Sequence, residues 1–248
     1  MNNPYVPNSK ANIAIISRDT PIEIAKNLER KIKNIIYTEP LMGLPNGLRS
    51  HPDLALCPVD RNTVVSAPSV YNYYKGNLEP LGVNVVEGGI EPQEKYPLDV
   101  PYNVAILNNY AIFFERGIDI VLRDEIQKRG YKSINVKQGY SKCSVAITGY
   151  TSAITSDRLL YDKLVRKGFK VLYIEPGNIV LPGYNYGFIG GATGLLSDNE
   201  LLVAGSLQKH PSKDIIYDFL KSENMNVIEL SDENIVDIGS ILTFSVFN

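Results

Sequence analysis

Gly168-Phe169-Lys170-Val171-Leu172-Tyr173-Ile174-Glu175-Pro176-Gly177 closes a helix-like stretch with a glycine and opens a short apolar strand. The same phrase stands upstream as Gly82-Val83-Asn84-Val85-Val86-Glu87-Gly88. It stands again as Gly130 followed by Ser133-Ile134-Asn135-Val136-Lys137-Gln138-Gly139. Weaker copies are Asn34-Ile35-Ile36-Tyr37-Thr38-Glu39-Pro40 and Asn226-Val227-Ile228-Glu229-Leu230. Five copies, about 45 residues apart, make an internal repeat, which decides the architecture before any local motif is read.

Working outward, each phrase ends a larger unit of strand, hairpin turn, strand, helix and strand. One unit has strands at 54–59, 63–66 and 83–86 and a helix at 68–78. The next has strands at 104–107, 110–114 and 133–136 and a helix at 118–129. Two more follow, with strands at 144–148, 152–155 and 170–174, then at 190–196, 200–204 and 226–230. Their helices are 157–166 and 212–221. The residues before the first strands, Asp53, Asn103, Ser144, Gly191 and Ser240, recur at near-even spacing. After Ser240 the chain supplies one strand, 241–247, and stops. The N-terminal region supplies a strand (12–17), a helix (19–33) and a strand (35–37), with no opening strand. In that helix Asp19 or Thr20 is a candidate cap and Pro21 takes the first position. The two chain ends add up to one complete unit. The expected fold is α/β, a five-bladed ββαβ propeller closed by its N- and C-terminal segments, which leaves no exposed sheet edge. An open sheet of the same pieces is the competing arrangement. Residues 1–248 read as a single domain, with the Asn/Pro-rich residues 1–11 as an extended arm.

Composition narrows the function. A net charge of −2 offers no electrostatic footprint for nucleic acid. No run approaches the roughly 20 apolar residues of a membrane span, and the first residues lack a signal-peptide core. The expectation is a cytoplasmic protein whose two cysteines, Cys57 and Cys143, are reduced thiols. Two cysteines and two histidines without ligand spacing argue against a structural metal, and no cofactor is called for.

The phrases His51-Pro52-Asp53, Val136-Lys137-Gln138-Gly139-Tyr140-Ser141-Lys142-Cys143-Ser144, Gly187-Phe188-Ile189-Gly190-Gly191-Ala192-Thr193-Gly194 and Asp237-Ile238-Gly239-Ser240-Ile241 carry a resemblance. They resemble an uncharacterised branch of the pentein superfamily, the amidinotransferase-like, guanidine-modifying fold group. The resemblance covers almost the whole chain. It implies the closed ring, and a site in which a cysteine thiolate of the last unit attacks a guanidinium carbon. There a histidine serves as acid and base, and two carboxylates grip the planar cation. This chain has Gly239-Ser240-Ile241-Leu242-Thr243 where a Gly-x-His-Cys-like phrase belongs, and no histidine or cysteine follows His210.

In such a ring the unit starts converge on the axis. They carry His51, Asp53, Asp99, Asn103, Lys142, Cys143, Ser144, Gly190, Gly191, Asp237 and Ser240. Cys143 is the candidate nucleophile. Adjacent Lys142 and nearby Lys137 are expected to lower its pKa. His51 is the candidate base, oriented by Asp53 or Asp237. The alternative is that Cys143 is a small buried hydrophobe, as Cys57 is expected to be. Asp99, Asn103, Lys142, Ser144, Gly190, Gly191, Asp237 and Ser240 are candidate ligand contacts. Tyr184 and Tyr186 are candidate pocket walls. His210 reads as an exposed neighbour of a helix cap. Gly190–Gly194 lacks the Lys-Ser/Thr of a phosphate loop and reads as close backbone approach. Two functions stay open. One is an enzyme or binder for a guanidino or cationic amino-acid-like molecule. The other is a non-catalytic module for a protein or ribosomal partner. No nucleic-acid or membrane partner is expected, and a homo-oligomer is left open.

Overall fold

A computed structural model describes residues 3–246. It contains five three-stranded sheets, four of them from consecutive chain. The first of these joins β3 (Leu56–Asp60), β4 (Thr63–Ser66) and β5 (Asn84–Glu87). The second joins β6 (Ala105–Leu107), β7 (Tyr110–Phe113) and β8 (Lys132–Asn135). The third joins β9 (Val145–Ile147), β10 (Ser152–Thr155) and β11 (Lys170–Tyr173). The fourth joins β12 (Thr193–Ser197), β13 (Glu200–Val203) and β14 (Asn226–Glu229). In each, the first two strands pair antiparallel and the last two parallel. The parallel step needs a crossover. It is made by the helices α3 (Tyr71–Leu78), α4 (Ile120–Lys128), α5 (Arg158–Arg166) and α6 (Lys213–Ser222). The fifth sheet is composite: β1 (Ile13–Ile16) pairs parallel with β2 (Asn34–Tyr37) across α1 (Ile22–Glu29), and antiparallel with β15 (Leu242–Phe244). The two ends of the chain thus build one blade, as their complementary inventories required.

The repeated glycine has a specific job. Gly82, Gly130 and Gly168 have φ of 88°, 75° and 86°. That left-handed geometry ends a helix, and a side chain without Cβ adopts it most easily. In the last blade Asn224, with φ 54°, takes the same place. The helix starts are equally local. Asp119 and Asp157 accept the backbone N–H of Leu122 and Leu160 at 2.8 and 2.9 Å. In α1 the cap position falls to Pro21, without a side-chain cap bond, so the helix begins at Ile22 and is shorter than its apolar stripe suggests.

The apolar faces of sheets and helices meet in a core that includes Leu54, Leu56, Val65, Tyr74, Leu78, Ile106, Leu122 and Leu164, all fully buried. Each side chain of this size contributes about 1.5–3 kcal/mol on burial. Cys57 belongs to this core, with its Sγ near the Tyr5 hydroxyl. Residues 3–11 are not an extended arm: they run through turns and bury Asn3, Val6 and Ala11 completely or nearly so. Tyr5 is buried with its hydroxyl donating to Val104 O at 2.6 Å. The Asn/Pro-rich composition suggested an extended arm, but two apolar side chains and a satisfied phenol outweigh it. Met1 and Asn2 of that segment lie outside the described residues. Among the described residues no helix is long and apolar enough to cross a membrane.

Candidate functional site

The site grows from the approaches to the first strands. His51 precedes a four-residue helical turn, α2 (Pro52–Ala55), that feeds β3. Asn103 precedes β6, Lys142 and Cys143 precede β9, a short 3-10 turn Gly190–Ala192 leads into β12, and Asp237–Ser240 precede β15. Strand β12 packs beside both β9 and β15, which brings these approaches together.

Asp53 is the shared acceptor. Its Oδ2 takes a hydrogen bond from Cys143 Sγ at 3.2 Å and a short one from Ser240 Oγ. Asn103 clamps the approach to β9: its Oδ1 accepts from the N–H of Lys142 (2.7 Å) and Cys143 (3.2 Å). Its Nδ2 donates to Asp53 O at 3.1 Å and to Cys143 Sγ at 3.0 Å. Lys142 is buried. Its ammonium donates to Gly190 O at 3.1 Å and Ser240 Oγ at 2.9 Å, and lies 5.4 Å from the Tyr5 ring. Asp237 accepts the N–H of Phe188 at 2.8 Å and of Gly239 at 2.9 Å. Its Oδ1 stands 3.9 Å from His51 Nδ1, too far for a hydrogen bond.

Glycines make this density achievable. A Cβ on Gly191 would lie 2.0 Å from Asp237 Oδ1, and one on Gly239 would lie 2.3 Å from the His51 Cβ. The glycine phrase is thus close backbone approach to a buried carboxylate.

Burial dominates the electrostatics. It raises the Cys143 thiol well above its ordinary pKa, and the Asp53 and Asp237 carboxylates add to the rise. The expected lowering by Lys142 is outweighed: its ammonium is directed to Gly190 and Ser240, and Cys143 donates to an acid. Burial also lowers His51 and Lys142, each opposed by Asp53. Asp53 is raised by burial, against the pull of His51 and Lys142. Asp237 is pushed up to about 6 by burial, although its two N–H donors and Lys142 pull it down.

A cavity of about 310 Å³ opens onto part of this hub. His51, Cys143 and Asp237 line it together with Tyr140, Tyr184, Tyr186 and Phe188. Tyr184 and Tyr186 are half exposed, as walls should be. Tyr140 and Phe188 are aromatic walls that sequence reasoning passed over. They belong to a stacked series, Phe114–Tyr96–Tyr140–Phe188, with centroids 5.9–6.2 Å apart. Only their presence inside the two signature phrases could have flagged them.

The other candidates fall elsewhere. Lys142, Asn103, Ser240, Gly190 and Gly191 are not among the residues lining the cavity; they brace the hub beneath it. Ser144 is fully buried, its carbonyl accepts from Thr155, and its hydroxyl finds no partner. Asp99 sits away from the hub and accepts a short hydrogen bond from the Tyr140 hydroxyl, so it positions a wall. His210 is buried rather than exposed, because its Nδ1 accepts the Ser212 N–H at 3.1 Å beside α6.

The chain belongs to DUF6873, a family of unknown function, whose model matches residues 15–242. No curated protein matches its sequence significantly. Among solved structures it is similar to an inosamine-phosphate amidinotransferase from Streptomyces griseus, at 10% identity and a TM-score of 0.58. That match covers 100% of this chain and 97% of that one. It is also similar to an agmatine deiminase from C. jejuni, at 9% identity, TM-score 0.57, covering 100% and 98%. A third is a DDAH from Pseudomonas aeruginosa complexed with citrulline, at 10% identity, TM-score 0.55, covering 90% and 92%. The fold is therefore that of the pentein superfamily.

Proposed function

We propose that the axial cavity binds a small guanidino or cationic amino-acid-like molecule. The observation that carries this reading is the wall and floor together. Four aromatic rings surround a floor made by Asp237, Cys143 and His51, with no lysine or arginine among the lining residues. Aromatic faces and a carboxylate in a restricted dielectric favour a planar cation. Similarity to solved enzymes whose names refer to amidino transfer, agmatine and dimethylarginine supports the same ligand class.

In the catalytic form of this reading Cys143 is the nucleophile. The bound cation beside it offsets the two carboxylates that hold the thiol protonated, and the proton passes to Asp53, to which Sγ already donates. Sulfur then bonds the guanidinium carbon, and a C–N bond breaks as the amine departs with a proton from the His51 imidazolium. The neutral imidazole next takes a proton from water, whose oxygen bonds the amidino carbon. The C–S bond breaks to return the thiolate, which recovers its proton from Asp53. Asn103 steadies Sγ throughout. The non-catalytic reading keeps the cavity without this step, and one feature favours it: the free thiol is held strongly protonated.

Calorimetric titration with L-arginine, agmatine and methylguanidine, against citrulline, whose ureido group is uncharged, as control, tests the cavity. Binding of the cations alone, weakened at least tenfold in Asp237→Asn, is expected. Equal affinity for citrulline would remove the cation argument. Amine or ammonia release that disappears in Cys143→Ala separates the enzyme from the binder.

A further inference from the structure

A second cavity, of about 440 Å³, lies against the same two residues. His51 and Asp237 line both cavities. They are the only residues common to the two linings, so the imidazole and the carboxylate form a partition between them. The outer part of that partition is made by two loops in close contact. A Cβ on Gly47 would lie 2.5 Å from Pro182 O and 3.1 Å from the Tyr184 ring. Chain neighbours on these loops face opposite sides. Leu48 and Tyr184 line the axial cavity, whereas Asn46 and Gly183 line the second. This gives the loop 38–50, too long for a simple connection, a structural task.

The second cavity is acidic and not aromatic, with apolar walls from Pro21, Pro182, Val236 and Ile238. It adds Asp19, Ser17 and Asn46 to the shared Asp237, and no lysine or arginine lines it. The Asp19 carboxylate is exposed and makes no ion pair or hydrogen bond among the described residues. Its charge is felt at His51, where it favours the protonated imidazole. Arg18, the nearest cation in the chain, is directed to Glu39 at 3.9 Å. Without aromatic walls the cavity suits a compact ammonium, which is a point charge with three donors, better than a planar guanidinium.

We propose that this second cavity binds the ammonium end of a primary alkylamine, held by Asp19, while the axial cavity is separately occupied over Asp237. The proposal rests on the axial reading only for the identity of the other ligand. Two molecules then meet His51 from opposite sides of one partition.

The chain has two histidines, His51 and His210, so side-chain labelling gives two imidazole signals in an NMR spectrum of the full protein. Propylammonium chloride is titrated against sodium chloride of equal ionic strength. The His51 signal is expected to move saturably and the His210 signal to stay. In Asp19→Asn the apparent affinity should fall about tenfold, the size of one lost charge-assisted hydrogen bond. Saturating methylguanidine, followed separately by its protection of Cys143 from iodoacetamide, should leave the propylammonium affinity within about twofold. Competition between the two ligands, or an unchanged affinity in Asp19→Asn, overturns the second site. If methylguanidine fails to protect Cys143 while Asp19-dependent amine binding persists, the axial reading falls and this proposal stands.

Discussion

Two approaches to first strands, one before β9 and one before β15, place a small nucleophilic side chain against the same acceptor. Cys143 and Ser240 both donate to Asp53 Oδ2. Their surroundings separate them. Cys143 lines the axial cavity, whereas Ser240 is fully enclosed, with Gly190 O and the Lys142 ammonium as its other partners. Ser240 also has φ 75°, a conformation held by its N–H bond to Gly191 O at 2.6 Å. The last-unit position that carries the nucleophile in the resembled enzymes is here a brace. The thiol that faces the cavity opens a different blade, with β12 packed between the two starts. Chemical type alone does not make a site; which side of Asp53 a group occupies decides whether it reaches the cavity.

The largest expected effect breaks the shared acceptor itself. Asp53→Ala leaves the buried Lys142 ammonium without its nearby carboxylate, and the expected loss in urea denaturation is about 3–5 kcal/mol. Asp53→Leu combined with Lys142→Met should recover part of that loss, since an apolar pair of similar volume avoids both desolvation costs. A loss below about 1 kcal/mol in the single variant would show that Asp53 does not anchor the two starts.

The next effect separates the two starts. Ser240→Ala removes one donor and leaves Asp53 and Lys142 each one partner short, for an expected cost of about 1–3 kcal/mol. Affinity for guanidino ligands should be nearly unchanged once the protein is folded. Cys143→Ala should instead alter ligand affinity or abolish turnover. Reversed outcomes in calorimetry would exchange the roles assigned here.

Thiol reactivity draws the same line more finely. In a Cys57→Ser background, iodoacetamide should modify Cys143 slowly at neutral pH and faster only well above the ordinary thiol range, near 8.5. A thiol placed by Ser240→Cys in a chain also carrying Cys143→Ser and Cys57→Ser should react more slowly still, because that position is fully buried and lines neither cavity described above. Equal rates would mean that the hub opens on both sides.

The five-blade layout was legible in the sequence because its signals are local. Gly82, Gly130 and Gly168 mark helix ends, apolar alternation marks strands, and the missing strand at one terminus matches the surplus strand at the other. The convergence of Asp53, Asn103, Cys143, Asp237 and Ser240 followed from the register of the repeat. What each group does there was not legible. The direction of the Lys142 ammonium depends on Gly190 O and Ser240, 48 and 98 residues away. The Cys143 pKa depends on burial beneath two carboxylates from other blades. Tyr140 and Phe188 became walls through stacking, which no spacing in the chain encodes. Residues 3–11 were misread because a few buried apolar groups decide their fate against a polar composition.

The smallest effect concerns the partition itself, and its sign follows from the two shifts. The His51 pKa is lowered in the fold, so the unfolded chain takes up a proton first as pH falls below about 6.5. Stability is therefore lost on the acid side, and His51→Gln should abolish that loss. The Asp237 pKa is raised to about 6, so its contribution is complete below its unfolded value near 3.9 and is lost as pH rises through about 6. Asp237→Asn should reduce that loss, leaving the contribution of Asp53, which is raised in the same direction. The two groups therefore oppose each other between about pH 4 and 6.5. Each variant also changes hydrogen bonding by an amount independent of pH, so the informative quantity is the difference in urea midpoint between pH 5 and pH 7.5. Relative to the parent, that difference should shift in favour of pH 5 in His51→Gln and in favour of pH 7.5 in Asp237→Asn. Parental profiles in both variants would show that neither group changes its protonation on folding, and that the partition is a passive wall.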